Sequence, residues 1–283
     1  MMQRNYILSL LIGISLVTTV SAQKDTLTGT GDEIVVTGTR TERKLSNVAV
    51  PTKIISRKTI QQAGSLRLSD VLQEQAGLFL TSGFGVGVQM QGLNPDYTMI
   101  MINGEPLVGR TSGVLDLNRL TVGNIQKIEI VKGPSSSLYG SEAMAGVINI
   151  ITDKSASKKF NTSIRYGTYN TLDANIGGST TLGKLGINAF INSYNSDGYS
   201  IRPFSVERTV APIWRLSNQL QLTYPISSKT KIEVSARYSY EHIKNTIAVT
   251  NNGVITYSDG KEIHHDFNLN PVITHNFNSK LKS

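Results

Sequence analysis

Hydrophobic and polar residues alternate along the second half of the chain. Between Trp214 and Tyr224 the even positions are almost all apolar, while the odd positions are polar or charged. Residues 232–240 repeat this pattern. Weaker versions cover residues 160–166, 172–180, 185–193 and 267–277. A period of two predicts β-strands with one apolar and one polar face. Runs of about ten residues bounded by aromatic side chains are typical of strands that cross a membrane in a β-barrel.

The connections between these runs alternate in length. Residues 182–184, 224–231 and 277–282 form short connections, whereas residues 195–212 and 245–262 form long polar ones. Outer-membrane barrels have short turns at the periplasmic end and long loops at the extracellular end. The pattern therefore predicts antiparallel transmembrane strands with the long loops outside the cell. A soluble β-sandwich also alternates, but its strands are usually shorter.

The first half of the chain contains two short helical patterns. Ser56 and Gly64 are residue types that begin and end a helix, and Ser69 and Gly77 predict a second helix in the same way. The buried stripe of the second helix is predicted to contain Leu68, Val71 and Leu72.

Strand patterns surround these helices, so this half is predicted to be an α+β domain. Residues 97–102 are largely apolar and end at Asn103-Gly104, the strongest short signal for a β-hairpin. The glycine-rich stretch 83–87 is not followed by a helical pattern, which argues against a dinucleotide-binding loop. We expect a mobile loop there.

The N-terminus has the pattern of a secretory signal peptide over residues 1–22, with Arg4, an apolar stretch and small residues before Gln23. Residues 23–31 are polar and predict a flexible leader. The chain contains no cysteine, which excludes disulfides and thiolate metal sites. The net charge is +8, but the basic residues are dispersed, so nucleic-acid binding is not expected.

The stretch 124–153 carries a family resemblance. It reads NIQKIEIVKGPSSSLYGSEAMAGVINIITD and resembles the closing segment of the plug domain of TonB-dependent outer-membrane receptors. The stretch YTMIMINGEP, residues 97–106, also resembles the plug pattern. The resemblance implies an α+β plug domain over residues 41–153, followed over residues 160–283 by roughly six antiparallel transmembrane strands of an incomplete β-barrel. Plugged transporters have about 22 strands, so we expect the chain to be part of a longer protein.

Residues 32–40, DEIVVTGTR, resemble the TonB box of this family. A TonB box is a free extended peptide that adds a strand to a partner sheet, which requires a proline-free segment. The candidate TonB-binding residues are Glu33, Ile34, Val35, Val36 and Thr37. The alternative is that the segment forms the first strand of the domain that follows it.

The resemblance also implies plug loops that face the ligand. The candidate ligand-facing residues are Ser82, Gly83, Phe84, Gly85, Arg110, Thr111 and Ser112. No catalytic constellation is found, so an enzyme is not expected. The strand pattern places His242 and His265 on the lipid face and only His264 toward the lumen. His264 is therefore a weak metal candidate, because a single imidazole does not make a metal site.

The function implied by the resemblance is active uptake of a scarce nutrient across the outer membrane of a Gram-negative cell, after export through the signal peptide. The expected cargo is a ferric siderophore or haem, with cobalamin as the alternative; no bound cofactor is expected. The expected partners are TonB of the inner-membrane energy-coupling complex, outer-membrane lipid and the cargo. A secreted adhesion or carbohydrate-binding β protein is the alternative from a different class.

Overall fold

The computed structural model describes residues 34–35, 37, 43–47, 50–83, 85–153, 158–202, 208–251, 254–278 and 281–282. The predicted signal peptide and leader lie outside the described residues, as do Glu33, Val36 and Phe84.

The N-terminal part is an α+β domain, here called the small domain (residues 50–153), preceded by a short β-ladder. The ladder joins β1 (Ile34–Val35) and β2 (Arg43–Lys44). The helices of the small domain are α1 (Arg57–Ala63), α2 (Leu68–Gln73) and α3 (Ser136–Tyr139). Its strands are β3 (Thr52–Ser56), β4 (Leu78–Gly83), β5 (Gly85–Met90), β6 (Thr98–Ile102), β7 (Glu105–Pro106), β8 (Ile125–Lys132) and β9 (Gly146–Thr152).

Five of these strands form the central sheet of the small domain, in the order β3-β8-β9-β6-β7, and only β6 and β9 run parallel. Both faces of strands β8 and β9 are covered, so apolar residues of these strands are buried on each face. One face packs Ile128 and Ile150 in a cluster with Leu68 and Leu72 of α2, and the other face holds Val147 in a second cluster. Burial of this apolar surface is the main driving force for the domain.

Several local predictions are confirmed. Ser56 caps α1 by accepting a hydrogen bond from the Thr59 backbone N–H at 3.2 Å. Gly64 ends this helix with φ +68°. Asn103 and Gly104 have φ +54° and +89°, as a tight turn between β6 and β7 requires.

The predicted cap of α2 is wrong. This helix begins at Leu68, and the Asp70 carboxylate accepts hydrogen bonds from the backbone N–H groups of Leu66 and Arg67 at 3.0 and 2.9 Å. The Ser69 hydroxyl instead donates to the Asn118 side chain at 2.6 Å. A carboxylate satisfies the free N–H groups of a helix start as well as a hydroxyl does.

The loop expected at residues 83–87 is wrong in its bounds, because residues 85–87 belong to β5. Strands β4 and β5 pair from Leu78 and Met90 up to Gly83 and Gly85, so the glycines lie at the tip of a tight hairpin. Gly85 has φ +104°, and a side chain there would collide with Asp116. The glycines therefore permit a turn and a close approach of the backbone.

The C-terminal part is one antiparallel sheet whose strands follow each other in chain order, here called the large sheet. Its strands are β10 (Lys159–Gly167), β11 (Thr171–Leu182), β12 (Leu185–Ser196), β13 (Ile213–Pro225), β14 (Thr230–Asn251) and β15 (Val254–Asn278), with a two-residue β16 (Leu281–Lys282). The six predicted strands are thus confirmed.

The long loop expected at residues 245–262 is wrong. Strands β14 and β15 continue as a hairpin, and their register runs without interruption to Asn251 opposite Val254. Both arms contain several β-branched residues, among them Ile247, Val249 and Ile255, and such residues favour strands.

The two faces of the large sheet differ in chemistry. Side chains such as Ile164, Trp214 and Phe267 are exposed on one face, at 73%, 43% and 67% of their surface. The opposite face is polar and lies against the small domain, where Asp173 and Glu241 are buried. No helix among the described residues is long and apolar enough to cross a membrane. An apolar outer face along a row of long strands is what a lipid-facing barrel wall requires, and a soluble sandwich would leave it in water.

Candidate functional site

Thr37 is anchored in the small domain. Its backbone N–H and its hydroxyl donate to Glu129 Oε2 at 2.9 and 2.5 Å. The Asn149 amide donates to the Thr37 hydroxyl at 2.9 Å, and the Tyr139 hydroxyl donates to the Thr37 carbonyl at 2.9 Å. Only 1% of Thr37 is exposed. These four hydrogen bonds fix one residue of the predicted TonB-binding segment to the central sheet.

The free peptide expected over residues 32–40 is therefore wrong for the part that the structure describes. Ile34 and Val35 pair with Lys44 and Arg43, and Thr37 is buried. The burial of Glu129 explains the anchoring. A buried carboxylate is costly unless it is paired, and Glu129 is satisfied by Thr37 and by the Lys127 ammonium at 2.8 Å.

The first predicted ligand-facing loop, at the tip of the β4–β5 hairpin, lies against Asp116, which follows the second predicted loop by four residues. The Asp116 carboxylate accepts a hydrogen bond from the Val86 backbone N–H at the tip of the β4–β5 hairpin, at 3.0 Å. It also lies 3.9 Å from the guanidinium of Arg215, which follows Trp214 on β13. Because the long 197–212 connection precedes β13, this is the end of the sheet predicted to face outward. Ser82, Gly83, Thr111 and Ser112 are exposed, and Gly85 is half-buried.

Arg110 does not point outward as predicted. Its guanidinium donates to the backbone carbonyls of Pro95, Thr98 and Gly113 at 2.9 to 3.0 Å. Its side chain is only 16% exposed. The residue therefore holds three backbone segments of the small domain together. The sequence correctly predicts that Arg110 lies in a loop between strands, but it does not predict the backbone carbonyls that surround its guanidinium.

Two arginines of the small domain reach into the polar face of the large sheet. The first, Arg119, donates to Glu241 of β14 at 3.1 Å. The same carboxylate also binds Arg215, whose guanidinium donates to the Asn118 carbonyl at 2.9 Å. Glu241 and Arg215 are only 3% and 8% exposed, so the cluster of Arg119, Arg215 and Glu241 is a desolvated contact between the two parts.

The second arginine is Arg67, which lies against the inward face of β11 and β12. It donates to the Asn192 side chain at 3.2 Å and lies 3.5 Å from the Asp173 carboxylate. The guanidinium also stands over the Tyr194 ring, 4.1 Å from its centroid. Burial lowers the pKa of Arg67 to about 10, further lowered by the charge of Arg215 and opposed by Asp173. The group remains charged at neutral pH, so its carboxylate partner is required.

A cavity of about 300 Å³ lies between the small domain and the large sheet. Its small-domain side is largely apolar and includes Leu107, Leu115 and Leu120, whereas the sheet contributes polar residues such as Gln219 and Asn268. The cavity adjoins Asp116 and Arg119 and thus lies near the first predicted loop. The sequence does not indicate this cavity, because its walls come from segments far apart in the chain.

The histidines occupy the faces that the alternation predicts. His264 lies opposite Glu241, which is buried toward the small domain, and its ring nitrogen is 3.9 Å from Glu262. His265 lies opposite Tyr240 on the other face. Among the described residues, no group of three or more His, Cys, Asp or Glu residues could hold a metal ion.

Part of the chain is similar to a known protein family and to characterised transporters. Residues 44–147 match the TonB-dependent Receptor Plug Domain family. Over 149 residues the chain is 35% identical to Vitamin B12 transporter BtuB of Vibrio vulnificus (strain CMCP6), which covers 51% of this chain and 24% of the transporter.

Two solved structures have a similar fold. P. aeruginosa FpvA bound to heterologous pyoverdines gives a TM-score of 0.70 at 16% identity, over 87% of this chain and 34% of FpvA. The ferric yersiniabactin uptake receptor FyuA from Yersinia pestis gives a TM-score of 0.66 at 16% identity, over 80% of this chain and 38% of FyuA. At these identities the likeness concerns the fold alone. The chain spans about a quarter of the BtuB relative and little more than a third of the two receptors.

Proposed function

We propose that the chain is part of a TonB-dependent receptor, since residues 44–147 match the plug domain of that family, and that it takes part in active uptake of a small-molecule cargo. Members of this family are receptors and transporters of the Gram-negative outer membrane rather than enzymes. One observation carries the proposal: the small domain sits on the polar face of a strand wall whose other face is apolar, joined to it by Arg67 and Arg119.

We further propose the order of parts along the chain. Residues 1–22 direct export, residues 23–31 form a tether, and residues 32–40 bind TonB. Residues 41–153 are the plug, and residues 160–283 provide strands of the barrel wall.

Coupling to TonB is proposed to use Glu33, Ile34, Val35, Val36 and Thr37. Strand addition needs a free backbone edge. This edge is not free here, because Ile34 and Val35 are paired with β2 and Thr37 is hydrogen-bonded to Glu129. We therefore propose that TonB binds after Thr37 leaves Glu129, and that cargo bound on the outer side of the plug promotes this release.

The cargo is proposed to bind at the two loops near Asp116. Ser82, Gly83, Phe84, Gly85, Thr111 and Ser112 are the proposed contact residues. Arg110 is proposed to support them by fixing the backbone, since its guanidinium is committed to three carbonyls.

Cobalamin is the first cargo candidate, because the relative at 35% identity is a vitamin B12 transporter. A ferric siderophore or haem is the second candidate, as the resemblance to TonB-dependent receptors implies. The test measures binding of cyanocobalamin, a ferric siderophore and haem to outer membranes from cells that express the protein. Specific binding of cyanocobalamin alone supports the first candidate. Binding of an iron complex alone replaces it with the second, and binding of none contradicts the uptake proposal.

A further inference from the structure

The apolar face of the large sheet ends at a cluster of aromatic rings. Trp214, Tyr240 and His265 lie side by side on this face, with ring centroids 5.2 and 5.1 Å apart. Aromatic side chains of this kind mark the level at which a barrel wall passes from hydrocarbon to headgroups. The cluster therefore defines the outer boundary of the lipid-facing band.

Two lysines lie directly beyond this boundary. Along β14 the residues that share a face with Tyr240 are His242 and then Lys244, and Lys244 is directly opposite Lys261 on β15. Lys244 and Lys261 each lie four residues beyond the cluster, and four residues of a strand tilted by about 40° rise about 10 Å along the membrane normal. Their long side chains point outward on the lipid-facing side and can reach back to the depth of the lipid headgroups.

This cross-strand pair is unfavourable on its own, because like charges directly opposite each other destabilise a sheet. Neither lysine has an ion-pair partner among the residues that the structure describes. The next pair along the strands is joined by a hydrogen bond of its own, since the Thr246 hydroxyl donates to Asp259 at 3.0 Å. An anion between the two side chains would therefore relieve their repulsion.

A third cation faces the same space. Arg208, Lys244 and Lys261 line a cleft of about 540 Å³, together with the single carboxylate of Asp259. The segment that carries Arg208 is tied to β14, because the Lys244 backbone N–H donates to the Pro212 carbonyl at 3.0 Å. The Arg208 guanidinium also donates to the Asp197 carbonyl, which fixes its position. Cations in such a group favour a phosphate, whose several oxygens accept charge-assisted hydrogen bonds.

We propose that this cleft binds the phosphate of an anionic lipid headgroup in the outer leaflet. A lipid is favoured over a free anion because the cleft faces outward and continues the aromatic boundary of the lipid-facing band. The inference rests on the outer-membrane location of the chain but not on cargo uptake, so a failed uptake experiment leaves it standing.

The experiment measures lipid binding by the protein purified from outer membranes in mild detergent and stripped of bound lipid. The probe is lipid A, a phosphorylated glycolipid, and dephosphorylated lipid A is the comparison. The variant Lys244→Gln/Lys261→Gln removes both charges, while Lys244→Arg/Lys261→Arg keeps them. The matched control Lys184→Gln/Lys229→Gln removes two exposed charges from turns at the opposite end of the sheet.

We expect the Lys244→Gln/Lys261→Gln variant to bind lipid A at least about tenfold more weakly, since each cation near an anionic surface contributes on the order of 1 kcal/mol. The arginine variant and the control should bind like the unmodified protein, and dephosphorylated lipid A should bind weakly to all. Equal binding of both lipids, or equal binding by the glutamine variant, overturns the proposal. Loss of binding in the arginine variant also contradicts it, and full displacement by inorganic phosphate at equal concentration would show a free-anion site instead.

Discussion

A single residue, Thr37, determines whether the proposed coupling segment is available. The sequence predicts an extended peptide there from its β-branched residues. It could not predict the anchoring, because Tyr139, Glu129 and Asn149 lie about a hundred residues further along the chain. Such contacts depend on how the central sheet brings α3, β8 and β9 together, and local sequence preferences carry no information about them.

Tyr139→Phe tests this anchoring with little change in shape. It removes the hydrogen bond to the Thr37 carbonyl and leaves the ring in place. A hydrogen bond of this kind contributes about 1 kcal/mol, so the released state should become about fivefold more populated. Hydrogen exchange at the Thr37 amide should accelerate by that factor, and binding of the periplasmic domain of TonB without cargo should increase in parallel. Tyr224→Phe, at an exposed tyrosine of the large sheet, should change neither.

Arg110→Lys separates a structural role of this residue from a ligand-binding role. Lysine keeps the charge but lacks the planar fork that reaches three carbonyls. The substitution should destabilise the small domain by about 2 kcal/mol and increase proteolysis between residues 95 and 113. If Arg110 served only as a charge for the cargo, the lysine variant would keep both its cargo affinity and its resistance to protease.

At the level of elements, periodicity predicted the strands of the large sheet and their two faces. This succeeds because strand side chains alternate with a fixed period of two, and burial acts on each face separately. Element ends were less predictable. The start of α2 is capped by Asp70 rather than by the nearby Ser69, and the sequence alone does not distinguish the two. The continuation of β14 and β15 through residues 245–262 depends on the pairing of these strands with each other.

Val35→Pro tests the coupling element. Val35 lies in β1, and proline removes its backbone donor and fixes φ, so strand addition to TonB should fail. We expect cargo binding at the cell surface to stay unchanged while uptake falls to background. Val35→Ala keeps the backbone donor and should support uptake. Uptake that persists in the proline variant would show that residues 32–40 do not bind TonB.

At the scale of the whole molecule, the small domain (the plug) and the large sheet (the wall) meet in a polar interface. The pattern predicted which residues of the large sheet face inward. It could not predict that Asp173 meets Arg67 or that Glu241 meets Arg119, since these pairs join residues more than a hundred positions apart in the chain. A signal was present on β13, because Arg215 is the one charged residue among the inward positions 215–223 of that strand. Long charged side chains at such positions need partners when they are buried.

The Glu241 carboxylate connects the two sides of this interface. It binds both Arg119 of the plug and Arg215 of the wall, and almost none of it is exposed. Glu241→Ala leaves two buried guanidinium groups short of a partner, which typically costs about 3 to 5 kcal/mol. The plug should then separate from the wall more often, and limited proteolysis of the purified protein should cut the plug at least about tenfold faster.

Glu233→Ala is the matched control for this experiment. Glu233 lies on the same strand and the same face, but it pairs with Lys231 at 2.7 Å. This variant should leave proteolysis of the plug unchanged. The double variant Arg119→Ala/Glu241→Ala should cost less than the sum of its two single variants, because it removes one of the unpaired charges together with its partner. Additive effects, or equal proteolysis of the Glu233 and Glu241 variants, would mean that packing rather than these ion pairs holds the plug against the wall.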